Sequence, residues 1–328
     1  MENTIDLILK SVYGGDFFER DERKIRQKFR DAAKTIHPDI CSDPRATEAF
    51  ERLTKLYDQA LKDIRSGNWS ESNIVRLPGF GAIRYRHSMW TEFGARYVTN
   101  DRVIWTFDSD KKKYKQLFLD GLRLINWGRY SKKLSDGHKK QIGAIERATD
   151  RAIAIKKDID EYPLDLFLAV YQDKLDGRDI AWMISRMCSL ACFLKISGIV
   201  HNGLEPTNLF ISPKNHTISI LGGWQYAVNS GQKMTGVSRE IFDLMPFSVK
   251  TNGIATSETD IESIRRMFQK IVQDKDDIPV PMMDWIMKGS CDDALHEFVL
   301  WDEAIKKAYG VRKFKVFSAD ADKIYSQN

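Results

Sequence analysis

Two amphipathic helical patterns lie near the start of the chain, separated by a short polar break. From Asp21 to Ile36 the apolar residues recur at the spacing of one helix face: Ile25, Phe29, Ala32, Ala33 and Ile36. A second pattern of this kind runs from 44 to 64, with Asp43 as a cap and Pro44 in the first turn. The two patterns predict antiparallel helices joined by a short loop, which Pro38 stiffens by fixing its own φ.

The loop and the polar face of the first helix carry an informative combination of residues. The face is strongly basic, with only Glu22 and Asp31 against six cations: Arg23, Lys24, Arg26, Lys28, Arg30 and Lys34. The loop contains the tripeptide His37-Pro38-Asp39. This arrangement resembles the J domain of DnaJ-type co-chaperones over roughly residues 1–66, with Ile5–Tyr13 as the short first helix.

The resemblance implies a partner and a set of contact residues. In that family the loop and the basic helix engage a DnaK-type chaperone and stimulate its ATP hydrolysis. Here His37, Pro38 and Asp39 would be the stimulating motif. The docking charges would be Arg23, Lys24, Arg26, Lys28 and Arg30. A cationic helix suits an acidic partner by electrostatic steering. The alternative interpretation is a solvated basic face beside an ordinary turn.

After a small polar stretch at 67–74, the best linker candidate, the pattern changes to short β-type runs. These runs are Ala82–Tyr85, Ala95–Val98 and Val103–Phe107. A helix is predicted over Lys111–Asn126, whereas residues 129–151 are polar and give no clear pattern. From Tyr162 the pattern is mostly helical, with one predicted hairpin whose strands lie at 208–212 and 217–221.

A second resemblance lies around this hairpin. An apolar helix, Ile180–Ile196, is followed by His201-Asn202-Gly203-Leu204-Glu205-Pro206-Thr207-Asn208 and then by the hairpin. Protein kinases have a helix here, then a His-Arg-Asp-Leu-Lys-Pro-x-Asn catalytic loop, then a hairpin that ends in a metal-binding Asp-Phe-Gly. The segment resembles that loop without its chemistry. It keeps four of the family's residues: His201, Leu204, Pro206 and Asn208.

The resemblance implies a substitution at each position that performs the reaction. Gly203 stands at the catalytic base, Glu205 at the loop lysine and Gly223 at the metal-binding aspartate. Trp105 stands at the phosphate-binding lysine of the small lobe, and Asp120 is matched to the glutamate partner of that lysine. Asp260 fits an aspartate of the large lobe's central helix.

These substitutions favour a pseudokinase. Phosphoryl transfer depends on bound magnesium and positioned charge, and glycine supplies neither a metal ligand nor a base. We therefore expect His201, Asn202 and Asn208 only to brace the loop by hydrogen bonds. The alternative is an atypical phosphotransferase or nucleotide-binding regulator with a relocated metal site.

Composition limits the classes of partner, ligand and cellular location that the sequence predicts. The net charge of +5 is too mild to argue for nucleic acid, and the four cysteines have no metal-ligand spacing. No run approaches about 18 apolar residues, and no signal peptide is evident, so we expect a cytoplasmic protein without a membrane span. No cofactor or metal is predicted.

The sequence therefore predicts an α+β chain, in which an all-α J-domain hairpin precedes a two-lobed kinase-like domain. Its predicted parts are a J domain at 1–66, a linker at 67–74, a β-rich small lobe with an insertion at 75–160 and a larger helical lobe at 161–328. This order is similar to that of bacterial and phage proteins in which a J domain precedes a kinase-like domain. The predicted function is a non-enzymatic co-chaperone adaptor whose kinase-like body binds an unidentified client or assembly.

Overall fold

The computed structural model describes residues 4–11, 13–65, 73–289, 293–310 and 317–326. Within them the chain is α+β, as predicted. It forms two compact units: Met1–Ile104 with Lys156–Ile159, and Trp105–Ile155 with Asp160–Asn328. A compact unit can contain more than one domain, so the limits of these units do not test the predicted domain limits, which stay predictions. Most of the predicted linker lies outside the described residues.

The first unit begins with four helices, of which three follow the predicted pattern. They are α1 (Thr4–Lys10), α2 (Gly14–Phe17), α3 (Glu22–Ile36) and α4 (Ala46–Arg65). Helix α3 starts where Asp21 accepts the backbone N–H of Lys24 at 2.9 Å, which satisfies a donor that has no helical partner. The apolar faces meet in one core that includes Ile8, Ile25 and Leu53. The predicted first helix is too long, because the chain turns into the unpredicted α2 after Lys10.

Five strands follow the helices, four in the first unit and a fifth that runs from the first unit into the second. They are β1 (Ile74–Leu77), β2 (Gly81–Arg84), β3 (His87–Thr91), β4 (Gly94–Val98) and β5 (Arg102–Thr106). Strands β1 and β2 form one antiparallel hairpin, and β3 and β4 form another. Strand β5 follows β4 in its sheet and continues into the second unit at Trp105. The sequence predicts β2, β4 and β5 to within a residue or two but misses β1 and β3.

Within the first unit the helices are bonded to the strands. The buried Asn100 side chain donates its amide N–H groups to the carbonyls of Leu9 and Ser11, at 3.0 and 2.9 Å. Arg84 on β2 forms an ion pair with Asp16 on α2. The helical hairpin is therefore anchored through the region between α1 and α2, away from the loop that joins α3 to α4.

The second unit contains short strands and most of the helices. Its early elements are α5 (Lys112–Arg123), α6 (Lys132–Ile142), β6 (Ile145–Ala148), β7 (Ala152–Lys156), β8 (Tyr162–Pro163), α7 (Leu164–Tyr171), α8 (Gly177–Ile196) and β9 (Ile199–Val200). Its later elements are β10 (Leu209–Ser212), β11 (Thr217–Ile220), β12 (Val228–Asn229), α9 (Arg239–Leu244), α10 (Phe247–Asn252), α11 (Ser257–Val272), α12 (Val280–Met287), α13 (Ala294–Tyr309) and α14 (Ala321–Tyr325).

Helix α8 is the centre of this unit. It is buried on nearly every side, which explains its almost continuous apolar sequence. Helices α11 and α13 pack against it, and a buried ion pair joins them, with Arg265 Nη2 at 2.6 Å from Glu297 Oε2. The predicted hairpin is confirmed as β10 and β11, which pair antiparallel from Leu209 opposite Ile220 to Ser212 opposite Thr217. Strand β8 pairs with the other edge of β10.

Candidate functional site

The His37-Pro38-Asp39 loop lies at the surface of the first unit. His37 ends α3, and its carbonyl accepts the N–H groups of both Ile40 and Cys41 at 2.9 Å. The side chain of Asp39 is 86% exposed and that of His37 is 43% exposed. The loop is thus closed by its own backbone while the motif's polar groups face solvent.

Two contacts set the direction of the His37 imidazole. Its ring packs edge-on against Phe50 of α4, with centroids 5.3 Å apart. Its Nδ1 accepts the backbone N–H of Asp39 at 3.3 Å. The same nitrogen lies 3.5 Å from Oδ2 of Asp39. The loop therefore holds the His37 ring and the Asp39 carboxylate side by side at the surface.

The predicted docking charges all lie on the exposed face of α3, but their surroundings differ. Lys24 Nζ is 2.6 Å from Glu19, and Arg26 Nη2 is 2.6 Å from Glu22. These cations hold the pKa of each carboxyl below its usual value, chiefly by hydrogen bonding. Arg23, Lys28 and Arg30 have no carboxylate within 4 Å in the described part of the chain. Among the five predicted docking charges, the charge that no nearby carboxylate offsets therefore comes from these three side chains.

In the second unit, the segment that resembles a kinase catalytic loop is held by one buried carboxylate. Asp260 on α11 accepts the backbone N–H of His201 at 2.8 Å and that of Asn202 at 2.9 Å. Asn202 has a left-handed backbone, with φ of 56°, and donates its side-chain amide to the Tyr226 carbonyl at 3.2 Å. Burial raises the pKa of Asp260 to about 7. The two backbone N–H groups act in the opposite direction, because they favour the ionised carboxylate.

His201 and Asn208 are also buried, and they brace the loop in different ways. The His201 ring packs edge-on against Trp224 with centroids 4.7 Å apart, and burial lowers its pKa to about 3. Asn208 donates its side-chain amide to the Gly203 carbonyl at 3.0 Å and to Glu205 Oε1 at 3.1 Å. Asn202 and Asn208 thus hold the loop by side-chain hydrogen bonds, whereas His201 does so by its backbone N–H and by ring packing.

Trp105 fills the space beside the segment after the hairpin. Its indole N–H donates to the Leu221 carbonyl at 2.7 Å. A Cβ atom added to Gly222 would overlap Cζ2 of Trp105 and lie 2.7 Å from Oδ1 of Asn208. One added to Gly223, whose φ is 75°, would lie 2.7 Å from Nδ2 of Asn208 and 2.8 Å from Cε1 of His201. A side chain at either glycine, including one that carries a carboxylate, would require Trp105, Asn208 or His201 to move.

Gly203 and Glu205, two further predicted positions, lie in the same loop. A Cβ on Gly203 would sit 3.0 Å from the Tyr226 ring. Glu205 accepts the Ser238 hydroxyl at 2.8 Å, and burial raises its pKa. Glu205 is thus a buried acid at the position where the kinase loop that this segment resembles has a lysine. Chemically, the arrangement can hold a loop in place, but it offers no lysine to a phosphate.

Asp120 is the one predicted position that the structure places elsewhere. It is exposed on α5, where it accepts from Gln116 at 2.8 Å and from Arg123 at 3.3 Å. The side chain of α5 that approaches the Trp105 indole is Phe118, with ring centroids 6.3 Å apart. Asp120 therefore does not act as a partner of residue 105, because the helical period turns it away from that side.

Sequence reasoning missed Phe50, Tyr226 and Ser238 as supports of the two loops. Phe50 could have been found from its place on the apolar face of α4. Tyr226 lies in a short 3₁₀ helix and Ser238 caps α9, and neither has a local pattern that relates it to the loop, because only the fold brings them together.

Within the described residues, no group of three or more His, Cys, Asp or Glu side chains is arranged to hold a metal ion. No helix in that part of the chain is long and apolar enough to cross a membrane. No protein-family model and no curated protein matches the sequence.

Proposed function

We propose that this chain is a non-enzymatic co-chaperone adaptor of the cytoplasm. Its N-terminal helices act as a J domain that stimulates the ATPase of a DnaK-type chaperone. Its remaining residues form a catalytically inactive kinase-like body that binds a protein client or a larger assembly. The proposed activity needs no cofactor bound to this chain.

The observation that carries the proposal is the exposed His37-Pro38-Asp39 loop. The loop is fixed where it begins, because His37 caps α3 and packs against Phe50 of α4, and it is closed by its own backbone hydrogen bonds. A motif that is held rigidly and still exposed can dock without a large loss of conformational entropy. The cationic face of α3 beside it would raise the association rate with an acidic partner.

The surroundings of Trp105 support an inactive body. Phosphoryl transfer needs positive charge and bound magnesium at the transferred group. The indole supplies one neutral donor, and that donor is already bonded to the Leu221 carbonyl. No specific feature of the structure favours the alternative, an atypical phosphotransferase or nucleotide-binding regulator.

The proposal is tested by the steady-state ATPase of a DnaK-type chaperone with the full-length chain added. The wild-type chain should raise the rate several-fold, by about threefold or more, and His37→Gln should remove the increase. His296→Gln, an exposed histidine on α13, is the matched control and should stimulate like wild type. Equal stimulation by wild type and His37→Gln would refute the role of the loop.

A further inference from the structure

A second basic surface lies on the second unit, apart from the α3 face. Residues 123–145 contain six basic side chains and the single acid Asp136, so this segment has a net charge of +5. The whole chain also has a net charge of +5, so the rest of it is neutral overall. The segment is therefore a local excess of positive charge, which the total of +5 does not reveal.

An aromatic cluster fixes this segment on the C-terminal end of α8. Phe193 is 4% exposed, and its ring stacks against Trp127 at 5.7 Å and His138 at 4.2 Å between centroids. Tyr130 contacts the same ring at 5.3 Å and donates its hydroxyl to Ser197 Oγ at 2.8 Å. These contacts bring α6, residues 126–130 and the end of α8 together as one surface, which we name the α6 surface.

The α6 surface carries four exposed cations: Arg129, Lys132, Lys139 and Lys140. Asp136, the single acid of the segment, is also exposed and lies one helical turn from Lys132 and from Lys140. Within the described residues none of the four has a carboxylate within 4 Å. On α3, by contrast, Glu19 and Glu22 neutralise two of the cations. Clustered like charges repel one another, and an anionic partner would relieve that repulsion.

One large apolar side chain is exposed at the α8 end of this surface. Ile196, the last residue of α8, is 62% exposed and directly precedes Ser197, which is bonded to Tyr130. The aromatic rings offer little to a stacking ligand, because Trp127 already stacks on Phe193 and Lys139 Nζ lies 5.6 Å from the Trp127 centroid. The surface thus presents charge and one aliphatic group rather than open aromatic faces.

We propose that the α6 surface binds an acidic polypeptide segment, with carboxylates on the four cations and an apolar side chain on Ile196. Single-stranded nucleic acid is less suited, since its binding relies on open aromatic faces for base stacking. The inference rests on the proposed function in one respect, because it names the chemical class of the partner that the kinase-like body would bind. It is tested by direct binding of a peptide to the chain, with no chaperone in the assay.

The test uses the full-length chain and a fluorescein-labelled synthetic peptide of repeating Glu-Glu-Leu, followed by anisotropy at low ionic strength. The triple variant Lys132→Glu, Lys139→Glu, Lys140→Glu should bind about tenfold or more weakly than wild type. The control reverses three exposed cations elsewhere in the unit, Lys233→Glu, Arg239→Glu and Lys307→Glu, and makes the same change in net charge. The control should bind several-fold more tightly than the α6-surface variant.

Ile196→Ser separates the apolar contact from the charge. It should weaken binding of the Glu-Glu-Leu peptide by about threefold and leave binding of a plain polyglutamate peptide unchanged. Equal weakening by the two triple variants would overturn the proposal, because binding would then follow net charge alone. Tighter binding of labelled oligothymidylate or phosphatidylserine vesicles through the same three lysines would overturn it as well.

Discussion

The two loops that resemble functional motifs differ in where their polar groups point. The loop at His37 closes on its own backbone and turns its side chains to solvent. The loop at His201 is buried: its backbone N–H groups bond to Asp260, and the amides of Asn202 and Asn208 bond to the Tyr226 and Gly203 carbonyls. The first arrangement leaves its groups available to another molecule, whereas the second uses them to hold the fold together. A retained histidine or asparagine is therefore no sign of chemistry until its bonding partners are known.

The comparison predicts that substitutions in the buried loop lower the free energy of unfolding. Substitution of Asp260 should lower it most. Asp260→Ala leaves the N–H groups of His201 and Asn202 without their acceptor. The expected loss in the free energy of unfolding is about 3 kcal/mol, measured by urea denaturation. Asp243→Ala, at an exposed position on α9, should change it by less than about 0.5 kcal/mol. Similar losses in the two variants would contradict the bracing role of Asp260.

The close fit of Trp105 against Gly222 should give the next largest effect. Gly222→Ala forces a Cβ atom into the indole, and we expect it to cost about 2 kcal/mol of unfolding free energy. Gly236→Ala is the control, because a Cβ atom there would meet nothing within 4 Å. Adding Trp105→Ala to Gly222→Ala should recover part of the loss in a double-mutant cycle. Strictly additive losses would show that the two residues do not press on each other.

Two groups of the buried loop should make the free energy of unfolding change with pH in opposite directions. His201 has a pKa of about 3 in the fold and 6.5 as its ordinary value, so its contribution to stability is lost as pH falls below 6.5. Asp260 has a pKa of about 7 in the fold and 3.8 ordinarily, so its contribution grows as pH falls from 7 towards 3.8. The two contributions oppose each other between 6.5 and 3.8.

His201→Phe keeps a ring against Trp224 and removes only the histidine contribution. The unfolding free energy of the variant should therefore rise, relative to wild type, as the pH is lowered from neutral towards 4.5. Urea denaturation at a series of pH values measures this difference. A difference that is constant with pH would show that His201 is not buried in its neutral form.

The smallest expected effect concerns the exposed face of α3. Arg23→Glu should slow association with a DnaK-type chaperone more than Lys24→Glu does, by about threefold, because Glu19 already offsets the charge of Lys24. The salt dependence of the association rate should also be flatter for Arg23→Glu. Surface-immobilised chaperone and stopped-flow mixing would each provide this rate. Equal rates for the two variants would show that the ion pair with Glu19 does not persist in solution.

Sequence patterns predicted the elements whose packing is periodic. Helices α3, α4 and α8 and the β10–β11 hairpin follow from apolar spacing, since one buried face imposes it. Strand β3 was missed, because its Ser88 and Trp90 are exposed and its pattern resembles a polar loop. The sequence does not predict helix α6, because its many polar residues obscure the contact that His138 makes with Phe193.

The candidate sites can be predicted from the sequence only where their residues are adjacent in the chain. The exposed loop at His37 is a run of adjacent residues, so the sequence shows it directly. The bond from Trp105 to Leu221 joins residues 116 positions apart, and no local pattern reports such a contact. The same limit explains Asp120, whose sequence position suggested a role that the turn of α5 does not allow.

One assay of ATP turnover tests both loops at once. Phosphate release from labelled ATP and magnesium would be followed for the full-length chain alone, for a DnaK-type chaperone alone and for the two together. The account predicts no release by the chain alone above a heat-killed control, and a rate for the mixture that exceeds the chaperone's own and returns to it with His37→Gln. Release by the chain alone, or a mixture no faster than the chaperone, would contradict it.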